Sequence, residues 1–213
     1  VIGGRPSSGK TALTLQMMLK IAETEKVIYF SLETSKEKIM DRLICNFTRT
    51  PMYQIKSGEI TQWDSIIGGY DDFKNLKFEI VEAAGWTTEQ IEAKAIQEEA
   101  KVIFIDYLGL IRGTGKDLYE RVTNISIDLH TMAQDNKIAV FALSQLNRAG
   151  EREPSMEDLR QSGQIEQDAD CILLLRAVDK NNPASDRELI VAKNKEGCVG
   201  KIRLDFHGQY QLF

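Results

Sequence analysis

The chain has 213 residues and carries 27 Lys and Arg against 32 Asp and Glu, a formal net charge of −5. This length suits one α/β domain with a substantial core. The acidic balance argues against a generally basic, nucleic-acid-coating surface and leaves room for a local site. Three cysteines without C-x-x-C spacing and two distant histidines indicate neither a disulfide framework nor a zinc site. No apolar run is typical of a signal peptide or a membrane span, so we expect a soluble, cytoplasmic protein.

Helices and strands are predicted in alternation along the first half of the chain. Apolar positions at helical spacing predict a helix over 10–25. Thr34 and Glu37 form a capping-box pattern, which predicts a helix to about Asn46. The other elements predicted here are the strand VIYFSLE over 27–33, a helix opened by Thr61 and Asp64, the strand KFEIVEA, a helix from Thr87 and Gln90 to about Ala100, and the strand VIFID over 102–106.

The second half continues the alternation and ends in a hairpin. Ser155 and Asp158 form a capping pattern that predicts a helix to about Asp168. A stripe at alternating spacings of four and three residues predicts an amphipathic helix packed on a sheet. Its members are Leu118, Val122, Ile125, Leu129 and Met132. The remaining elements are the strands KIAVFALSQL and CILLLRAV, a β-hairpin of RELIVAKNK and GKIRLDF around Glu196-Gly197, and loops at 112–117, 147–155 and 179–186.

This order of elements predicts the fold class. Strands that alternate with helices form a mostly parallel twisted sheet flanked by helices, with right-handed crossover connections. The hairpin then extends one edge of that sheet. We therefore expect a single α/β domain over 1–213.

A phosphate-binding pattern lies at the start of the chain. Gly4-Arg5-Pro6-Ser7-Ser8-Gly9-Lys10-Thr11 matches G-x-x-x-x-G-K-[ST]. The glycines let backbone N–H groups approach phosphate oxygens, Lys10 offers a cation to the β- and γ-phosphates, and Thr11 can ligate Mg²⁺. The pattern predicts a nucleoside triphosphate site, with ATP as the expected nucleotide.

Three further residues end predicted strands. Asp106 ends VIFID, where phosphate-loop proteins place an acid that holds Mg²⁺, although an Asp at a strand end is common in isolation. Glu33 ends YFSLE and can orient or deprotonate water, or simply complement the dipole of the helix that follows. Gln145 ends AVFALSQ and can sense a γ-phosphate, or be a polar terminus without consequence. In a parallel sheet these strand ends and the phosphate loop share one edge, which favours the functional interpretation.

Together these residues resemble one family, the C-terminal motor domain of DnaB-type hexameric replicative helicases, which are RecA-like phosphate-loop ATPases. ALSQLNR followed by DLRQSGQIEQDAD is more specific than the phosphate loop, because generic phosphate-loop kinases and GTPases lack it. The resemblance covers essentially the whole chain. Its stretches, in the family's order, are GRPSSGKT, YFSLETS, VIFIDYLGLI, ALSQLNR, DLRQSGQIEQDAD and AKNKEGCVGKIRLDF.

The resemblance implies roles at the nucleotide. Lys10 and Thr11 resemble the phosphate and Mg²⁺ ligands, and Asp106 resembles the Mg²⁺-associated acid. Glu33 resembles the catalytic base, and Gln145 the γ-phosphate sensor. Arg42, on the helix after YFSLETS, is a candidate for the adenine or ribose, and an ordinary surface arginine is at least as good an interpretation.

The resemblance also implies a DNA-binding loop. Arg160, Gln161 and Gly163 occupy positions where the family presents a loop to single-stranded DNA in a central channel. Glycine and backbone N–H groups can bind phosphates without a large basic patch, which is compatible with the acidic charge. From composition alone, DLRQSGQIEQDAD indicates a capped, solvated helix start, and the resemblance reverses that preference.

The chain departs from the family pattern in two places. The family usually has K-x-R in the strand that reaches the neighbouring subunit's nucleotide, whereas this sequence has Lys193-Asn194-Lys195. A lysine supplies a point charge without the planar fork of an arginine finger. Gln161 also stands where an acid is common. The family's N-terminal collar domain is expected to lie outside this chain.

The resemblance implies a 5′→3′ DNA helicase motor that couples ATP hydrolysis to movement on single-stranded DNA during replication. A hexameric homo-oligomeric ring is expected for the full-length protein, with primase and a helicase loader as candidate partners and no membrane partner. Two alternatives remain open at this point. One is a RecA/RadA- or KaiC-like ATPase, and the other is a regulatory ATP-binding module that unwinds nothing.

Overall fold

The computed structural model describes residues 1–61, 63–146, 152–159, 163–179, 181–182 and 184–213, without the side chains of 64–66. The β-strands are β1 Ile2–Gly4, β2 Val27–Ser31, β3 Phe78–Glu82, β4 Val102–Asp106, β5 Ala139–Gln145, β6 Cys171–Ala177, β7 Arg187–Asn194 and β8 Gly200–Leu204. The α-helices are α1 Lys10–Ile21, α2 Lys36–Thr48, α3 Met52–Ser57, α4 Trp63–Lys74, α5 Thr88–Gln97, α6 Leu118–Asn136 and α7 Gly163–Asp168. Short 3₁₀ helices lie at Leu108–Leu110, Met156–Leu159 and Gly208–Tyr210.

The strands form one sheet in the order β3-β2-β4-β5-β1-β6-β7-β8. Pairing is parallel from β3 to β6 and antiparallel from β6 through β7 to β8. The predicted mostly parallel α/β sheet with a C-terminal hairpin at one edge is confirmed. Because β2, β4, β5 and β1 are consecutive neighbours, their carboxyl ends lie side by side.

The central strands are buried on both faces by helices. Every residue of β2 and of β4 is buried, which explains why both are continuous apolar runs in the sequence. Val27 and Tyr29 face the apolar cluster that includes α1 and α2, whereas Ile28 and Phe30 face the cluster that includes α5 and α6. The strand period of two thus divides one sheet between two cores.

Helix boundaries differ from the predictions in their details. Helix α2 begins after Ser35 as N-cap, so the capping box predicted from Thr34 and Glu37 is wrong in register. The Thr34 carbonyl instead accepts a hydrogen bond from Ser31. The capping box of Thr87 and Gln90 is confirmed, with the Thr87 N–H donating to Gln90 Oε1 at 3.0 Å.

Two short elements follow no predicted boundary. Helix α3 has no buried residue, so no apolar stripe marks it in the sequence. The single helix predicted from Ser155 is wrong, because a 3₁₀ turn and α7 replace it, with 160–162 outside the described residues. One of the two contacts of a capping box is present, since the Ser155 N–H donates to the Asp158 carboxylate at 2.9 Å, whereas the Asp158 N–H donates to the Ser155 carbonyl.

The stripe predicted for α6 packs on the sheet as expected, except at its first position. Val122, Ile125, Leu129 and Met132 are buried, whereas Leu118 is exposed. In the described part of the chain, no helix is long and apolar enough to cross a bilayer.

Helix α6 has a side-chain N-cap that yields a stability prediction. Asp117 accepts a hydrogen bond from the Glu120 N–H at 2.8 Å, and Glu120 in turn accepts one from the Lys116 N–H at 2.8 Å. We expect Asp117→Ala to lower the free energy of unfolding by about 1 kcal/mol. Thermal unfolding should then move down by about 2–4 °C for a domain of this size. Asp117→Asn is the matched control, because asparagine keeps an acceptor and should retain most of this stability. A melting temperature of Asp117→Ala equal to that of the unaltered chain would contradict the assignment.

Candidate nucleotide-binding site

The phosphate loop joins β1 to α1, and its geometry requires glycine at two positions. A Cβ on Gly4 would lie 2.5 Å from Ser8 Oγ and 3.0 Å from the Leu175 carbonyl oxygen. Gly9 has φ +101°, and a Cβ there would lie 2.9 Å from Phe213 Cζ. Among the described residues, the buried Ser8 hydroxyl has no hydrogen-bond partner. The loop therefore places backbone that no Cβ covers at Gly4 and Gly9, together with the unpaired Ser8 hydroxyl, at the N-terminus of α1. The N-terminus of a helix is a favourable place for an anion.

Lys10 is the first residue of α1 and folds back over the loop. Its Nζ donates to the Gly4 carbonyl at 2.8 Å and to the Arg5 carbonyl at 3.2 Å. Only 9% of Lys10 is exposed. Burial lowers the pKa of the Lys10 amine below its ordinary value, while the Asp106 and Glu33 carboxylates oppose that shift. The two carbonyls are neutral dipoles and do not balance the charge of the ammonium group. An anion bound in the loop would balance it.

Asp106 ends β4 and lies beside Thr11. Its Oδ2 accepts hydrogen bonds from Thr11 Oγ1 at 2.8 Å and from the Tyr29 hydroxyl at 2.9 Å. Burial, followed by the Asp106 charge, raises the pKa of Tyr29 well above its ordinary value, so this hydroxyl stays a donor. The structure thus brings together the two residues predicted to hold a metal.

The oxygen set of Thr11 and Asp106 suits Mg²⁺. A hydroxyl and a carboxylate are hard ligands, and Mg²⁺ commonly binds to one or two protein oxygens together with substrate phosphates and water. Across the described ranges, no group of three or more His, Cys, Asp or Glu side chains is arranged to hold a metal ion. The donor set therefore fits a metal that arrives with a nucleotide better than an all-protein metal centre.

Glu33 and Gln145 lie at the same edge of the sheet. Ser31, two residues before Glu33, pairs with Asp106, and Gln145 pairs with Gly4. Glu33 is exposed, and its carboxylate is close enough to raise the pKa of Lys10. Gln145 is half-buried. The register confirms that the carboxyl ends of β1, β2, β4 and β5 share one edge, whereas the predicted strand end at Glu33 is wrong by two residues, because β2 ends at Ser31.

Arg187 and Phe206 contribute to the site and were not identified from the sequence. Arg187 is 3% exposed, and its Nε donates to the Ser8 carbonyl at 2.9 Å. Its guanidinium carbon lies 4.2 Å above the centre of the Phe206 ring. Ser8 and Arg187 are separated by 179 residues, so no local pattern in the sequence signals the contact.

A cavity of about 290 Å³ opens beside the phosphate loop. The residues that line it include Arg5, Pro6, Ser7, Arg152, Leu175 and Arg187. Arg42 is not among them. It is half-buried on α2, and its charge lies close enough to Tyr29 to oppose the rise in the pKa of that hydroxyl. A role for Arg42 at the base or ribose stays a prediction.

The predicted DNA-contacting residues are described only in part. Arg160 and Gln161 fall outside the described residues. Gly163 is the first residue of α7, and a Cβ there would lie 3.8 Å from the Tyr119 hydroxyl oxygen. The structure thus fixes only the point at which the loop enters α7.

Lys193 and Lys195 lie toward the opposite edge of the sheet, which is formed by the amino ends of the parallel strands. Lys193 pairs with Ile172 on β6, whereas Gly4 pairs with Leu175 on the same strand. These positions are separated by three residues, or about 10 Å along the strand, and the phosphate loop extends further away. The structure therefore does not bring these lysines to the chain's own phosphate loop.

Comparison with known proteins gives a consistent family. Residues 1–213 match the family model described as "DnaB-like helicase C terminal domain". The "Replicative DNA helicase DnaB" of Geobacillus stearothermophilus is 33% identical over 232 residues, which cover 100% of this chain and 51% of that protein. The protein of the same name from Treponema pallidum (strain Nichols) is 34% identical over 224 residues, covering 100% of this chain and 50% of that protein. The chain thus spans about half the length of these relatives.

Solved structures agree with the sequence comparison. "The Structure Of A DnaB-Like Replicative Helicase And Its Interactions With Primase" matches with a TM-score of 0.93 and 31% identity, covering 100% of this chain and 56% of that chain. A second solved structure, described as an ATPase domain, matches with a TM-score of 0.92 and 31% identity, covering 99% of this chain and 81% of that chain. The expected RecA-like fold is confirmed, and the chain belongs to the family of DnaB-like helicase C-terminal domains.

Proposed function

We propose that this chain is the ATP-hydrolysing motor of a replicative DNA helicase and moves 5′→3′ on single-stranded DNA. The observation that carries the proposal is the division of functional residues between the two edges of one sheet. The edge formed by the carboxyl ends of the parallel strands carries the phosphate loop and, with it, Thr11, Asp106, Glu33 and Gln145. Lys193 and Lys195 lie toward the edge formed by the amino ends. The family membership supports a helicase over the RecA/RadA- or KaiC-like and regulatory alternatives, which the comparisons do not favour.

The phosphates would bind along the loop between β1 and α1. The loop N–H groups and the Ser8 hydroxyl would donate to phosphate oxygens, as the N-terminus of a helix favours. Lys10 would move its amine from the Gly4 and Arg5 carbonyls to the β- and γ-phosphates. That exchange gives the buried ammonium an anionic partner in place of two neutral ones.

Thr11 and Asp106 would hold Mg²⁺ together with the nucleotide. When bound, the metal neutralises charge on the transferred phosphoryl group. Before it binds, Thr11 and Tyr29 donate to the Asp106 carboxylate and fix its position. This prearrangement means that the carboxylate needs no large movement to become a ligand.

Glu33 would act as the base, because its exposed carboxylate stands at the edge where the γ-phosphate would end. A carboxylate there can accept a proton from the attacking water. Gln145 would donate from its amide to the γ-phosphate and release that contact after hydrolysis. The proposed DNA-binding loop spans residues 147–163, so Gln145 lies two residues before its start along the chain.

The nucleoside would enter the cavity beside the loop, which is lined in part by Arg187, a nearly buried cation stacked on the Phe206 ring. Arg187 lines this cavity and also holds the Ser8 carbonyl of the phosphate loop, and Arg42 stays the candidate that the family resemblance gives for the base or ribose.

Lys193 and Lys195 would serve the nucleotide of an adjacent subunit. Both lie too far along the sheet to reach the chain's own phosphate loop, whereas a closed ring would bring this edge to the neighbour's carboxyl edge. A closed ring is therefore part of the proposal, and six subunits is the number that the family resemblance implies. One of the similar structures is described as a DnaB-like replicative helicase with its interactions with primase, which supports primase as a candidate partner. A helicase loader is proposed on family grounds alone.

Single-stranded DNA would bind to the loop over 147–163. We expect DNA to raise the ATPase rate of the assembled protein, and Arg160→Ala to abolish most of that increase while leaving the DNA-free rate unchanged. The measurement is steady-state phosphate release with and without single-stranded DNA. Lys20→Ala, which removes an exposed charge on α1, is the control and should respond to DNA normally. A wild-type rate that never responds to DNA in any oligomer would refute the motor function.

The proposed base yields a separate prediction. We expect Glu33→Gln to bind ATP with near-normal affinity and to hydrolyse it about 100-fold more slowly or worse, because the amide cannot accept the proton. Equilibrium ATP binding and single-turnover hydrolysis measure the two effects. Glu37→Gln neutralises an exposed carboxylate on α2 nearby and should hydrolyse ATP normally. Near-normal turnover by Glu33→Gln would remove Glu33 as the base.

A further inference from the structure

The two lysines proposed for the neighbour's nucleotide are bound within their own chain. Lys195 Nζ lies 2.6 Å from Asp170 Oδ1. Lys193 Nζ donates to the carbonyl of Glu166 at 2.6 Å and to that of Gln167 at 3.3 Å. A cation at these carbonyls is favourable, because the last carbonyls of a helix lack intrahelical partners.

The two carbonyls that bind Lys193 belong to α7, and Asp170 lies two residues after the end of that helix. Ser126 Oγ on α6 and Gln164 Nε2 on α7 each donate to the Asp168 carboxylate at 2.7 Å. Ile165 on the same helix is buried in the main core. The C-terminal end of α7 is therefore held against α6, and the lysine side chains are the parts that can move.

The contact between Lys195 and Asp170 is suited to exchange. The Lys195 side chain is 45% exposed and that of Asp170 is 72% exposed, and ion pairs of this kind contribute little to stability. The pKa of Asp170 is lowered first by its hydrogen bond to Lys195 and further by the charges of Lys195, His130 and Lys193. A triphosphate carries more negative charge than this single carboxylate, so it would compete well for the amine.

We propose that Asp170 and the C-terminal carbonyls of α7 form a resting dock for Lys195 and Lys193, from which the γ-phosphate bound to a neighbouring subunit withdraws them. The inference rests on the proposed function, because the competing phosphate is that of the neighbour's ATP. Asp170 is then a positioning residue that holds Lys195 ready and competes with the phosphate for it.

The resting dock has a consequence for the proposed DNA-binding loop. Helix α7 begins at Gly163, directly after 160–162, and its other end carries the carbonyls that Lys193 occupies. Departure of Lys193 exposes those carbonyls and changes the electrostatics of α7. Nucleotide in one subunit thereby affects the helix that follows the DNA-binding loop of the next.

The test uses Asp170→Asn in the assembled protein, with Asp170→Glu as the conservative variant. In the nucleotide-free state, we expect Asp170→Asn to raise the rate at which an amine-acetylating reagent modifies Lys195, read by mass spectrometry, by about two- to fivefold. The ATP concentration that gives half-maximal hydrolysis should fall by about the same factor, with kcat within about twofold of wild type. Asp170→Glu should restore both values toward wild type, because it keeps a carboxylate.

Glu23→Gln is the matched control. It removes a second exposed carboxylate that lies 2.6 Å from a lysine, Lys20, on α1. This variant should raise acetylation of Lys20 and leave both the acetylation of Lys195 and the half-saturating ATP concentration unchanged.

The outcomes separate the inference from the proposed function. Unchanged acetylation of Lys195 in Asp170→Asn would overturn the resting dock, whether or not the protein hydrolyses ATP. Raised acetylation with an unchanged half-saturating ATP concentration would overturn the competition with phosphate. A wild-type protein that hydrolyses no ATP would refute the proposed function and the competition together, while the acetylation result would still decide whether Asp170 holds Lys195.

Discussion

Two opposite charges are nearly buried at the carboxyl edge of the sheet, and the candidate site depends on how each is compensated. Lys10 and Asp106 are 9% and 8% exposed, and a buried charge without partners would be strongly unfavourable. Lys10 is satisfied by backbone carbonyls, and Asp106 by two hydroxyls. Each arrangement leaves the charge itself available, because dipoles and neutral donors stabilise an ion without cancelling it. The site is therefore stable enough to fold on these contacts and still favours a metal-bound triphosphate.

Much of the fold could be predicted from the sequence because its signals are local. Buried parallel strands appear as unbroken apolar runs such as VIFID, and α6 appears as a stripe at helical spacing. The phosphate loop is recognisable because it needs glycine where a side chain would not fit. At Gly4, a Cβ would come too close to Ser8 Oγ and the Leu175 carbonyl. Once the sheet was predicted to be parallel, the common edge for Asp106 and Gln145 followed from topology alone.

The failures have a different physical origin. Helix α3 has no buried residue, so hydrophobic periodicity could not reveal it. The predicted N-cap of α2 is wrong by one residue, because Thr34 and Ser35 are adjacent and both are favoured N-cap residue types. Arg187 at the phosphate loop and Asp170 beside Lys195 depend on contacts between separate elements. Such contacts are set by how the C-terminal hairpin lies on the sheet, which no short pattern encodes. Side-chain contacts between separate elements are therefore the part of this site that only the folded structure reveals.

The central claim is that one sheet presents two halves of different ATP sites, with Lys10 at one edge and Lys195 toward the other. Mixing subunits that carry Lys10→Ala with subunits that carry Lys195→Ala tests it most directly. Each pure variant should lose most of its ATPase activity, because every interface lacks one half. Random mixing in equal amounts should restore about a quarter of the wild-type rate, since that share of interfaces combines an intact Lys10 with a neighbour's intact Lys195. A mixture no more active than either variant, or a pure Lys195→Ala protein with the wild-type rate, would contradict the claim.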